Sequence, residues 1–213
     1  EDSVKNTLDS NNFGQNDYFN TYGKMKKIIV EYTDPNPFKP FHIGHLMTNA
    51  IGESIARIVE FSGAEVLRAN YQGDVGLHVA KAIYGLTKYP EYIKKDVSVT
   101  EASASVGLAY SIGSKEYDSS EETKKEIGDI NKKIYDRSDE NINEVYDWGF
   151  KVTMEAFEDL YRVLGTQFDL YFLESEMAGL GLKIVEDNKG KVFTDSDGAV
   201  VFKAEEHDPK PVS

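Results

Sequence analysis

The sequence predicts an α/β protein: a parallel, doubly wound sheet carrying a helical insertion and a small β-hairpin. Three observations carry this. Ile28, Ile29 and Val30 form an unalternated β-branched run, which suits a strand buried in a parallel sheet. Strand and helix signals then alternate up to about Lys88. Residues 91–165 hold no convincing strand, and strand character returns at Phe168.

Each element has its own signal. The first strand covers residues 27–32, and Asp34-Pro35-Asn36-Pro37 breaks it. Pro35, Pro37 and Pro40 forbid a helix before Phe41. From Ile43 a helix follows: Met47, Ile51, Ile55, Ile58 and Val59 recur at helical spacing, and Gly63 stops it. Residues 65–71 read as a second strand, Gly73-Asp74-Val75-Gly76 as a turn, and the next stretch as a helix to about Lys88. Residues 116–147 carry the dense mixed charge of solvated helices, and Phe150, Phe157, Leu160, Tyr161 and Leu164 mark one face of a last insertion helix ended by Gly165. Residues 168–173 return to strand and 176–186 to helix. Residues 191–193 and 199–202, either side of Asp195-Ser196-Asp197-Gly198, form a hairpin. The organisation expected is a polar lead-in (1–24), a strand–helix–strand–helix core (25–90), the helical insertion (91–165) and a strand–helix–hairpin segment (166–213).

The composition bounds the chemistry. An apolar share of 40% and thirteen tyrosines in 213 residues describe a globular chain. A net charge of −13 gives no support to non-specific nucleic-acid binding, which needs clustered Lys and Arg. The absence of cysteine excludes disulfides and thiolate metal sites and fits a reducing compartment. There is no membrane-length apolar run and no signal-peptide pattern, so a cytoplasmic protein without a membrane partner is expected. The polar, Met-less start and the Asp208-Pro209-Lys210-Pro211 end read as cut ends.

Two of the four histidines stand in His42-Ile43-Gly44-His45, after the first strand and at a helix start. Ligands of open parallel sheets bind beyond the carboxyl ends of the strands. A helix start adds free N–H groups that suit phosphate. Imidazole donors can support a phosphate in a transition state, and Gly44 lets a flat base approach the backbone. Together these describe an ATP site. No third ligand stands beside the two histidines, so no metal site is expected.

The stretch Val30-Glu31-Tyr32-Thr33-Asp34-Pro35-Asn36-Pro37-Phe38-Lys39-Pro40-Phe41-His42-Ile43-Gly44-His45-Leu46 closely resembles the first signature of arginyl-tRNA synthetases, with its HIGH motif. Asn70 with Gly73-Asp74-x-Gly76 resembles the next signature, and residues 171–176 and Asp197-Gly198-Ala199 look like later ones. The resemblance spans nearly the whole chain. It implies a class I, Rossmann-like catalytic core, here the truncated first half. The implied reaction joins arginine to ATP as arginyl-adenylate and passes it to tRNA. Magnesium accompanies ATP, held by phosphates and water, and no tightly bound cofactor is implied.

Carried over by the resemblance, His42, Gly44 and His45 hold ATP, and His42, His45 and Lys39 are catalytic, with Lys39 facing the phosphates or else solvent. Glu31, Asp34, Pro35, Asn36 and His45 take the arginine; a carboxylate suits a guanidinium because the bond is charge-assisted and can be bidentate. Asp34 stands where many relatives have Ser, and either strengthens guanidinium binding or caps the loop. Asp74 caps the following helix or touches ligand. Val75 stands where Trp is common, which alters the packing. The Lys-Met-Ser-Lys-Ser-like loop of the family is not in this sequence, so this piece alone is not expected to charge tRNA. Two other readings are another nucleotidyltransferase with a His-x-Gly-His helix start, and a truncated non-catalytic interaction module.

Overall fold

A computed structural model describes residues 27–196 and 199–204. The polar lead-in, the Asp197-Gly198 turn and the last nine residues lie outside the described residues. The described chain runs β1 (Lys27–Glu31), α1 (Ile43–Phe61), β2 (Glu65–Gln72), α2 (Leu77–Lys88), α3 (Val99–Tyr117), α4 (Glu121–Asp136), α5 (Glu140–Leu164), β3 (Leu170–Leu173), α6 (Glu174–Asp187), β4 (Phe193–Ser196) and β5 (Ala199–Phe202). One compact unit ends at Leu173, and a second begins at Glu174.

The first unit contains a three-stranded parallel sheet in the order β1–β2–β3. Ile28 faces Val66 and Val30 faces Arg68 on one side; Asn70 faces Tyr171 on the other. Adjacent parallel strands bring the starts of α1 and α2 to the same, carboxyl end of the sheet. α1 ends at the Ser62 cap followed by Gly63 at φ 97°, a left-handed turn that glycine adopts without strain.

Two expectations about burial are corrected here. β1 is an edge strand with alternating exposure, and Ile29 is 58% exposed. The apolar stripe of α1 also points outward: Ile43, Met47, Ile51, Ile55 and Ile58 are exposed, while Asn49, Gly52, Glu53 and Ala56 are buried. Periodicity reports that a helix has an apolar face, not what that face meets. The sheet side of α1 is chosen by close approach and hydrogen bonding instead. A Cβ on Gly52 would overlap the Cβ and Cγ of Tyr32. The Tyr32 hydroxyl donates to Glu53, which also binds Arg57 and Arg68. Burial pushes the Glu53 carboxyl up, but the Tyr32, Arg57 and Arg68 hydrogen bonds outweigh it and hold the pKa low.

Helices α2 to α5 form a bundle around Val79, Ile83, Val106, Ile127 and Ile134. Its tightest seam is α2 on α3, where Gly85 packs on the Ala109 carbonyl and Gly113 on the Lys81 carbonyl. Glu116 closes the seam by accepting from Tyr84 (2.8 Å), Tyr89 (2.7 Å) and Lys88 (2.5 Å). α4 starts at the Ser120 cap and α5 at the Asp139 cap, and Gly165 at φ 69° ends α5. On α5, Phe157 and Tyr161 are buried as their spacing suggests, but Leu160 is 38% exposed.

In the second unit, α6 precedes an antiparallel hairpin pairing Phe193 with Phe202 and Ser196 with Ala199. The first hairpin strand therefore starts later than expected. The amides of Lys191, Val192 and Phe193 turn back onto the Asn188 carbonyl, which keeps Lys191 and Val192 out of the strand. No described helix is long and apolar enough to cross a membrane.

Candidate active site

The loop between β1 and α1 is built from unusual backbone. β1 pairing ends as the Tyr32 amide donates to Ala69 O at 3.2 Å. Thr33 (φ 80°), Asp34 (φ 46°) and Phe38 (φ 68°) then adopt left-handed conformations, which Asp tolerates and a β-branched Thr resists. Neighbours hold this shape. Asn49 Nδ2 donates to Thr33 Oγ1 at 2.9 Å, and Thr166 Oγ1 to Asn49 Oδ1 at 3.0 Å. The Tyr71 amide donates to Asp34 Oδ1 at 2.8 Å, so a carboxylate stands in for the next rung of the ladder. Phe38 is wholly buried in the bundle core, 5.5 Å from the Tyr146 ring, and a Cβ on Gly149 would come within 2.5 Å of it.

At the end of this loop the two histidines cap α1 reciprocally. The Gly44 amide donates to His42 Nδ1 at 3.1 Å, and the His42 amide donates to His45 Nδ1 at 3.3 Å. The rings stack 3.8 Å apart, and Phe41 lies against His45. Both Nδ1 atoms are acceptors in this arrangement, so each neutral ring carries its proton on Nε2. The capping box thus sets the tautomer and leaves two Nε2–H donors at the start of a nineteen-residue helix.

Burial, then His42 and Lys39, push the His45 imidazole below its ordinary 6.5. The sign follows: the folded pKa is depressed, so the cap is complete above about 6.5 and is lost as pH falls from there through the lower folded value. We expect the His42 amide resonance to titrate together with the His45 ring, with a midpoint below 6.5. A shared midpoint at or above 6.5 in an NMR titration would remove this account of the cap.

The other expected residues divide into two groups. Glu31 is exposed at the end of β1 and Asp34 follows in the loop. Burial raises the Asp34 pKa, the Tyr71 amide lowers it, and the Glu31 charge raises it again, so the two carboxylates feel each other. Asn36 is half-buried, while Pro35 is buried and lends shape but no donor. Lys39 lies nearer the histidines, and its charge acts on both His45 and His78. Asp34 is at once the ladder cap and a carboxylate beside Glu31, so the two roles read from sequence are compatible.

Asp74 departs from the helix-cap reading. The residue capping α2 is Gly76, with no side-chain hydrogen bond, and buried Asp74 accepts from the Tyr146 hydroxyl at 3.0 Å. Phe38, Tyr146 and Lys81 were not singled out by sequence reasoning; only the odd apolar Phe38 inside a Pro-rich loop could have drawn attention.

The chain matches the family profile described as "tRNA synthetases class I (R), catalytic domain" over residues 4–212. It is 31% identical over 201 residues to the arginine–tRNA ligase of Borrelia garinii, covering 92% of this chain and 34% of that protein. The arginine–tRNA ligase of Encephalitozoon cuniculi is 32% identical over 183 residues, covering 86% and 32%. The solved arginyl-tRNA synthetase of Thermus thermophilus superposes with TM-score 0.63 at 23% identity, over 89% of this chain and 32% of that chain; at this identity the likeness is one of fold. The chain spans about a third of the length of these curated relatives.

Proposed function

We infer, since this chain belongs to the arginyl-tRNA synthetase family of class I catalytic domains, that it supplies the first ATP motif and part of the arginine pocket for arginine activation. In that reaction an arginine carboxylate oxygen attacks the α-phosphorus of ATP. The bond from α-phosphorus to the bridging oxygen breaks, and its electron pair leaves with pyrophosphate. The arginyl-adenylate formed is then passed to the 3′ end of tRNA. The complete sequence of steps is proposed for the full-length family enzyme, acting in the cytoplasm, with magnesium carried by the phosphate oxygens.

The observation that carries this reading is the reciprocal histidine cap. Its two Nε2–H donors are fixed before any ligand arrives, so they can meet charge developing on the α-phosphate without reorganising. His42, Gly44 and His45 are assigned to ATP, and Lys39 to its phosphates. Glu31 and Asp34 are assigned to the guanidinium. Burial, and to a smaller extent the Glu31 charge, raises the Asp34 carboxyl, and an arriving cation would favour its charged form. Pro35, Asn36 and His45 are assigned to the remainder of the amino acid. No enzyme nucleophile is needed, and catalysis is by positioning and electrostatics.

A non-hydrolysable arginyl-adenylate analogue tests this. At about one hundred times its dissociation constant it adds about 2.7 kcal/mol of stability, a rise of roughly 5–10 °C in Tm. Lysyl, glutaminyl and cysteinyl analogues are expected to shift it far less. Equal shifts for all four would remove the arginine assignment, and no shift for any would remove the adenylate site.

A further inference from the structure

We propose that Lys81, on α2, joins Lys39 to hold the β and γ phosphates of ATP and the pyrophosphate that leaves. This rests on the adenylate-forming reading above and adds a residue to it. The placement comes from α3, which both lysines cover. Pro40 packs on Gly107, where a Cβ would stand 3.0 Å from the proline Cγ. One turn on, Lys39 Nζ lies 5.6 Å from the Tyr110 ring centroid. The Lys81 backbone packs on Gly113, and Lys81 Nζ lies 4.2 Å from the Tyr117 ring centroid. Tyr110 and Tyr117 are seven residues apart, about 10 Å along the helix axis. The two lysines therefore lie along one helix face about two turns apart, an arrangement that suits a chain of phosphates better than a single one.

Their charge is uncompensated. Neither lysine pairs with a carboxylate among the described residues, although the protein carries a net charge of −13 and Lys88 and Lys133 both find acidic partners. Both are half-buried, and the aromatic faces beneath them are weaker partners than a carboxylate. Burial and then the Lys81 charge lower the Lys39 pKa, so these cations repel each other across the space between them. His78, one turn before Lys81, gives no counter-charge: its Nε2 binds the Gly73 carbonyl at 2.8 Å, and burial lowers its pKa. Two cations held together unpaired suit a multivalent anion. Lys39 also acts on His45, one of the donors assigned to the α-phosphate, so Lys81 would extend the site from Lys39 along α3. As the bond to the leaving group breaks, negative charge grows on the β phosphate, where these cations can stabilise it.

The test is calorimetric binding of tripolyphosphate and, separately, adenosine monophosphate to the wild type, Lys81→Gln, Lys81→Arg and the control Lys125→Gln on the exposed face of α4. Lys81→Gln is expected to weaken tripolyphosphate about tenfold and to lower the salt-dependence slope by about one ion. Adenosine monophosphate binding and the arginyl-adenylate thermal shift should be unchanged, because neither ligand has β or γ phosphates. Lys81→Arg should restore most of the affinity, and Lys125→Gln should change little. Equal loss in Lys81→Gln and Lys125→Gln, full affinity in Lys81→Gln, or no tripolyphosphate binding by the wild type would overturn the proposal. So would loss of binding to a short RNA ending in CCA with tripolyphosphate affinity intact, which would assign the lysine to RNA backbone. An intact arginyl-adenylate shift beside any of these results would leave the adenylate site standing and remove only Lys81. A missing shift beside Lys81-dependent tripolyphosphate binding would do the reverse.

Discussion

Alanine in place of Gly113 is expected to destabilise the first unit by about 3 kcal/mol, which lowers its Tm by roughly 6–12 °C. The reason is local and geometric. The new methyl would fall inside the Lys81 carbonyl group, which is helix backbone and cannot rotate away as a side chain can. α2 and α3 must separate, and the Gly85 contact with Ala109 and the Glu116 contacts with Tyr84, Tyr89 and Lys88 loosen with them. Gly128, in the middle of α4, has nothing within 4 Å of an added Cβ. There alanine should stabilise by about 1 kcal/mol through helix propensity. Thermal unfolding of the two variants beside the wild type reads both signs at once. A Gly113→Ala protein as stable as the wild type would mean that the two helices do not approach as described.

The second large effect is at His45. His45→Ala removes an Nε2–H donor from the proposed nucleotide site and the acceptor of the His42 amide from the helix start. Nucleotide binding by this chain should be lost, and in the full-length enzyme adenylate formation should fall by about 10²–10³, as when one preorganised donor is removed. The capping loss alone is about 1 kcal/mol, so the fold persists. His45→Gln separates the two roles. A glutamine three residues into a helix can still reach back to the cap amide, but it does not place a donor where the imidazole Nε2 stood. The expected pattern is wild-type stability with nucleotide binding still lost. Retained ATP affinity in both variants would remove the histidine from the site.

Much of the core architecture could be read from sequence because its signals are local. Pro35, Pro37 and Pro40 separate β1 from α1, Gly63 ends α1, and the β-branched run marks β1. The histidine pair could be placed at a helix start for the same reason. Legibility stopped where partners are distant in the chain. Asp74 and Tyr146 are 72 residues apart, so neither the cap nor the ligand contact read from sequence for Asp74 could include that partner. Likewise, the periodicity of Met47, Ile51 and Ile55 revealed a helix but could not say that Gly52 and Glu53 would face the sheet. The tautomers of His42 and His45 follow from atoms a few ångströms apart, and no residue spacing encodes them.

Phe38 gives the site a mechanical link to the rest of the first unit. Its ring is locked among bundle side chains, while its backbone lies one residue from Lys39 and four from His42. A close-packed core passes displacement on rather than absorbing it. A shift of α5 at Gly149 therefore moves the ring, and with it the loop that sets the histidine donors. By reciprocity, a ligand that tightens the loop must also bias the position of the bundle. The α2–α5 bundle and the loop before the two histidines are thus joined through the Phe38 ring.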